Sequence, residues 1–283
     1  MQGAPGADQP APPPPAGGFG AFGKMPALGD FFRLRVAQEF VAVWDGWLQA
    51  ALLSSRQLLG ERYDDCYMTA PVWRFVLPPG LAGGQGVMGV LMPSVDRVGR
   101  QFPLTLVGPC GSGAPLHELA LQGAVLEALE GLALSALGDD MTRDALNAAL
   151  DALSPVAPVP AAHSFPAAGG QVLTGAAPAT AMADLALGVG LAHLSHAAVW
   201  STVVDGQARI GLWPDLPTGA DAAALFDMDA ALWSGPAQDF DRLSDLDPLD
   251  FGDDGALGEA AAAASPAEPL LDVLDEIGNG PVG

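Results

Sequence analysis

Five charged residues in the first hundred positions carry most of the chemistry this sequence offers: Asp30 in GDF, Arg74 in PVWRF, and Asp96, Arg97 and Arg100 in PSVDRVGRQF. Closely spaced arginines can grip a carboxylate or phosphate through planar, bidentate hydrogen bonds. Arg97 and Arg100 fall between two apolar runs, where a loop is expected, and loops carry a disproportionate share of binding residues. These residue types leave two alternatives open. Either Asp30 or Asp96 neutralises an arginine inside a layered core and fixes the loop, or the arginines face a partner.

A second pattern, GGFGAFGKMPALGDFF over 17–32, satisfies two nucleotide-loop spacings. Gly18, Gly20 and Gly23 fit G-x-G-x-x-G, and Gly18, Gly23 and Lys24 fit G-x-x-x-x-G-K. A phosphate loop needs a buried strand entering, a helix leaving, and a Ser or Thr hydroxyl to hold magnesium. Here APPPPAG enters, Met25 stands where the hydroxyl belongs, and Pro26 follows at once. A dinucleotide fingerprint also lacks its acidic residue at the end of a second strand. The glycines are read as permitting a tight, irregular path at the start of a domain. No Ser/His/Asp or Cys/His set can be assembled. His193 and His196 have a ligand-like spacing but no third ligand nearby, while His117 and His163 are isolated. Cys66 and Cys110 are far apart and outside any CxxC, which favours neither a disulfide scaffold nor a zinc site. The expectation is a protein without catalytic residues, cofactor or metal.

The elements that must position the charged cluster are legible from periodicity. Within 35–59, Val36, Phe40, Val43, Trp44, Trp47, Leu48, Ala51 and Leu52 recur at helical spacing, and Gly60 is a natural stop. Trp44, Trp47 and Trp73 are of a type enriched at interfaces, but at these spacings core packing is the ordinary role. The runs VWRFVL (72–77), GVMGVLM (86–92) and PLTLVG (103–108) read as strands, antiparallel across the first gap. Helical patterns return over 116–137 and over 141–153, with Asp140 as N-cap. The stretch 154–170 reads as a linker or irregular surface segment, and 181–194 as a helix. AVWSTVVDGQARIGLW (198–213) is a hairpin, with Asp205-Gly206 supplying a type I′ turn. Helices interleaved with strands predict an α/β layered domain over 18–234.

The 283-residue chain carries a net charge of −22, with the excess acid in its second half and above all in its tail. Such a chain is repelled by phosphate backbones and anionic lipid, so nucleic-acid binding is not expected. No apolar run approaches the roughly 20 residues that span a bilayer, and no secretory signal pattern is present, so a cytoplasmic location without membrane insertion is expected. Residues 1–17 are Pro/Ala/Gly-rich and 235–283 acidic; both compositions predict disorder. Within the tail, Leu270, Leu271, Leu274 and Ile277 share one helical face, as a docking segment or as a frayed end.

Four blocks in order, GFGAFGKMPALGDFFR, WDGWLQAALLSSRQLLGE, YMTAPVWRFVLPPG and GVLMPSVDRVGRQFPLTLVG, span 19–108. They resemble the TagF (ImpM) family of type VI secretion-associated proteins. The remainder matches only in pattern, in the hairpin near Trp200 and in LPTGADAAALF, and the leader and tail lie outside the resemblance. The resemblance implies a three-layer α/β/α sandwich with a largely antiparallel central sheet. It implies a cytoplasmic accessory protein that represses assembly post-translationally by binding a forkhead-associated scaffold protein. Gly29, Asp30, Phe31, Trp73, Arg74, Asp96, Arg97 and Arg100 are the candidate partner-binding or motif-structural positions. The alternatives are an adaptor that recruits another secretion subunit without repression, or a hydrolase, for which no nucleophile or metal set is visible.

Overall fold

The computed structural model describes residues 18–110, 115–138, 140–153, 163–167, 170–174 and 196–234. The leader, the predicted helix at 181–194, His193 and the tail segment with Leu270, Leu271, Leu274 and Ile277 lie outside the described residues.

Seven strands form one sheet: β1 (Gly20–Gly23), β2 (Phe32–Leu34), β3 (Trp73–Leu77), β4 (Val87–Met92), β5 (Leu104–Pro109), β8 (Ala198–Val204) and β9 (Gln207–Trp213). Their order is β2-β1-β5-β4-β3-β8-β9, and every pairing is antiparallel. The three predicted strands are therefore the middle of the sheet. They read as largely apolar runs because both of their faces are covered. Phe75, Leu77, Leu91, Val107 and Trp200 join a cluster with α1 (Gln38–Leu59), α2 (Tyr63–Thr69) and α6 (Gly219–Ala224). Val90, Met92, Leu104 and Leu106 join a second cluster with α4 (Gly123–Ser135) and α5 (Arg143–Ala152).

The helix α1 ends where Gly60 turns to φ 55° and its N–H bonds to the carbonyl of Arg56. Its buried stripe runs through Phe40, Trp44, Trp47, Leu48, Ala51 and Leu52. Val43, placed on that face by periodicity, is 42% exposed, because it lies at the rim of the stripe. Trp44 donates to Thr105 Oγ1 at 2.8 Å and lies among Phe40, Trp47, Phe75 and Trp200. Both tryptophans of α1 are thus core residues.

Four expectations need correcting. The glycine stretch is a buried strand, β1, between β2 and β5. A Cβ on Gly20 would lie 2.4 Å from the Leu34 carbonyl, and one on Gly23, at φ 130°, 2.1 Å from that of Pro103. The glycines permit close backbone approach across the sheet, and the chain leaves them by a turn into β2, with no helix to cradle phosphate. The helical pattern of 116–137 is divided into α3 (Pro115–Leu121) and α4 at Gln122, whose φ −97° and ψ 23° precede Gly123. Asp140 is not the N-cap of α5. Thr142, in extended geometry, accepts the Ala145 N–H on its hydroxyl at 3.1 Å, which Asp140 is too far upstream to do. Residues 163–167, read as linker, form β6 (His163–Ala167), paired with β7 (Gly170–Thr174) as a separate two-stranded sheet. Pro166 inside β6 disguised it, since proline argues against a strand.

The C-terminal hairpin forms as expected, with Asp205 at φ 52° and Gly206 at φ 76°, both positive as a type I′ turn requires. The stretch LPTGADAAALF supplies α6. Two indoles stitch this region to the rest, Trp47 donating to the Pro217 carbonyl and Trp73 to that of Leu225, while within the region Trp233 donates to that of Ala224.

Candidate functional site

The β1–β2 turn (24–31) and the β4–β5 loop (93–103) meet over one carboxylate. Asp96 is 2% exposed. Its Oδ1 accepts the N–H of Val98 at 3.1 Å and of Arg100 at 2.9 Å, which folds the loop around the side chain. Its Oδ2 accepts Lys24 Nζ at 3.0 Å and Arg100 Nε at 2.6 Å. Burial by itself would push this carboxyl up. The N–H of Arg100, the Lys24 ammonium, the Arg100 guanidinium and the N–H of Val98 together outweigh it and hold Asp96 well below the usual carboxylate range.

The same groups clamp the neighbouring turn. Arg97 donates its N–H to the Leu28 carbonyl at 2.9 Å and its guanidinium to that of Ala27 at 2.5 Å. Arg100 reaches the Gly29 carbonyl at 2.8 Å. Lys24 stands 4.7 Å from the centre of the Phe31 ring, and Phe31 meets Phe102 edge-on at 4.6 Å. Beneath the loop, the Tyr67 hydroxyl of α2 donates to the Ser94 carbonyl at 2.8 Å, while the Ser94 N–H approaches it at 3.1 Å. Burial pushes the Tyr67 phenol up.

The structure brings Asp96, Arg97, Arg100, Gly29 and Phe31 together, and separates Arg74. Arg74 lies on β3 and makes a bidentate pair with Glu130 of α4, Nε to Oε1 at 2.8 Å and Nη2 to Oε2 at 2.5 Å. Asp30 neutralises no arginine among the described contacts; it is exposed, and its Oδ1 accepts the Phe31 N–H at 2.8 Å. Trp73 is buried and stacks on Trp233. Two contributors were missed. Lys24 reads in the sequence as the lysine of a nucleotide-loop pattern, although its place one residue past a buried strand suits it to an internal ion pair. Tyr67 carries no local signal, since only the fold sets α2 beneath the loop.

What the paired loops present outward is apolar and charged, with basic groups beside the exposed Asp30. Val98 is 72% exposed and Phe31 49%, and the Arg100 side chain 58%. With Asp96 and Lys24 buried beneath it, this tip has the form of a preorganised contact surface. Among the described residues no group of three or more His, Cys, Asp or Glu is arranged to hold a metal.

Residues 20–153 match the family model for the TagF N-terminal domain, described as type VI secretion system-associated. Among solved structures, the chain is similar to PA0076 from Pseudomonas aeruginosa PAO1, with 30% identity, a TM-score of 0.62, and coverage of 78% of this chain and 97% of that one. No curated protein matches the chain.

Proposed function

The chain belongs to the TagF family of type VI secretion system-associated proteins, and from that premise we propose that it represses assembly of the secretion apparatus by binding a forkhead-associated scaffold protein. Repression by occupancy needs a rigid surface and no catalytic group. The observation that carries this reading is the Asp96 clamp, which fixes the exposed Val98 and Phe31 beside the Arg97 and Arg100 guanidinium groups. All these residues lie inside the family-matched region. The protein acts in the cytoplasm and without enzymatic activity; no described helix is long and apolar enough to cross a membrane. The same reading takes the fold as a three-layer α/β/α sandwich, supported by apolar clusters that pair the sheet with α1 and α6 in one case and with α4 and α5 in the other.

The test is co-purification of the full chain with the forkhead-associated protein of its own secretion cluster, beside the variants Val98→Asp and Arg97→Ala. Val98→Asp is expected to melt like the parent, since Val98 is exposed, and Arg97→Ala slightly below it, since only the exposed bond to the Ala27 carbonyl is lost; both are expected to lose capture of the scaffold. Deleting the gene is expected to raise secretion. Undiminished capture by Val98→Asp would remove the loop from the interface, and a fall in secretion on deletion would replace repression by an adaptor role.

A further inference from the structure

The two edges of the seven-stranded sheet are treated differently. At one edge β2 is three residues long, and its Arg33 carbonyl accepts the Arg143 guanidinium of α5 at 3.1 Å. A short strand capped by an arginine cannot template another strand. At the other edge β9 runs for seven residues, QARIGLW, with Arg209 its only charge and no proline. Among the described residues β9 pairs only with β8.

The type I′ turn fixes which backbone groups of β9 are spent. The flanking pair Val204↔Gln207 is hydrogen-bonded, so Arg209, Gly211 and Trp213 also bond to β8 through Thr202, Trp200 and Ala198. The N–H and C=O groups of Ala208, Ile210 and Leu212 therefore point outward. Ile210 is 53% exposed. Leu232 and Trp233 face the strand across an open groove of about 390 Å³ whose other lining is Ala208 to Trp213. Trp233 is fixed there by its bond to Ala224 and its stack on Trp73, with the Arg209 guanidinium over its ring.

We propose that this edge pairs with the same edge of a second copy of the chain, β9 against β9, antiparallel about a two-fold axis at Ile210. That register sets Ala208 opposite Leu212 and Gln207 opposite Trp213, so outward-facing groups meet outward-facing groups along the whole strand. It also sets the lone charge, Arg209, opposite Gly211. A two-fold at Arg209 would oppose two guanidinium groups, which is unfavourable for directly facing cross-strand residues. The strand is thus self-complementary in hydrogen bonding and in charge, as an isologous contact requires. The contact is a single ladder with flanking apolar side chains, below the size of a permanent interface, so the dimer is weak and concentration-dependent.

Sedimentation equilibrium of the full chain, at moderate salt to screen repulsion between two acidic molecules, tests this. The mass is expected to rise with concentration from 28.7 kDa toward twice that value. Ile210→Lys, an exposed substitution that sets two ammonium groups face to face, is expected to hold the mass at the monomer value while leaving the melting temperature unchanged. In a Cys66→Ser, Cys110→Ser background, Ile210→Cys is expected to cross-link on copper–phenanthroline oxidation, because facing Cα atoms lie about 5.5 Å apart. Ala208→Cys is not, since its two copies lie about 13 Å apart along the strands. A chain that stays monomeric throughout, a dimer indifferent to Ile210→Lys, or cross-linking at 208 in place of 210 overturns the proposal.

Discussion

Replacing Tyr67 by Phe removes one oxygen and leaves the ring, so it isolates the bond that ties α2 to the β4–β5 loop. The phenol donates to the Ser94 carbonyl at 2.8 Å and accepts the Ser94 N–H at 3.1 Å. The carbonyl keeps a second partner, the Phe102 N–H at 3.1 Å, so its loss is that of one ordinary hydrogen bond, about 1 kcal/mol. The Ser94 N–H is left buried and unpaired, which costs about 1–3 kcal/mol more. Because Tyr63 and Phe226 still pack the ring, no cavity cost is added, and the sum is about 2–4 kcal/mol. With a urea slope of about 2 kcal/mol per M, the unfolding midpoint falls by about 1–2 M at unchanged slope. A pH series adds an independent check. Burial raises the Tyr67 pKa in the fold, so its contribution is complete below the unfolded value near 10 and is lost as pH rises above it. The variant should lose part of that alkaline decline, leaving the part due to Tyr63, which burial also raises. A midpoint within about 0.3 M of the parent, or an alkaline limb identical to it, refutes the assignment.

Two further substitutions probe the same region. Gly23→Ala places a methyl group 2.1 Å from the Pro103 carbonyl at a φ of 130°, and should destabilise by more than about 3 kcal/mol; soluble protein with a parental thermal melt would contradict it. Asp96→Asn removes a carboxylate whose folded pKa is depressed, a contribution present above the unfolded value near 3.9 and lost as pH falls below it. Melting temperatures taken from neutral pH down through that range should therefore converge for variant and parent, and parallel curves count against the clamp.

The middle of the sheet was readable because β3, β4 and β5 are largely buried on both faces and announce themselves as mostly apolar runs, interrupted only by Arg74 and Thr105. The hairpin was readable from one dipeptide, Asp205-Gly206. What the sequence concealed were features set by distant neighbours. β1 looks like a loop because its glycines answer to the backbone of residues 34 and 103. Gln122 looks helical because nothing local shows that two helices must pack separately. Within the charged cluster Asp96 does pair with an arginine, Arg100, although its guanidinium lies at the surface; Lys24 is the more deeply enclosed partner, and Arg74 of β3 pairs instead with Glu130 of α4. Spacing along the chain could group these residues, and only the turn of the sheet could sort them.

The order of the strands also says something about when this molecule becomes complete. β3 has β4 beside it almost at once, yet its other neighbour is β8, and the Trp73 indole bonds to a carbonyl 152 residues further along. A chain growing from its N-terminus must hold an apolar strand with one side open until most of the polypeptide has been made. Contacts of such long separation close slowly, and half-built sheets of this kind are prone to mispair. The boundary near residue 153, where likeness to the family model stops, is therefore not a place where folding can stop. Synthesis must run past β8 before the strand beside the charged loop is sealed.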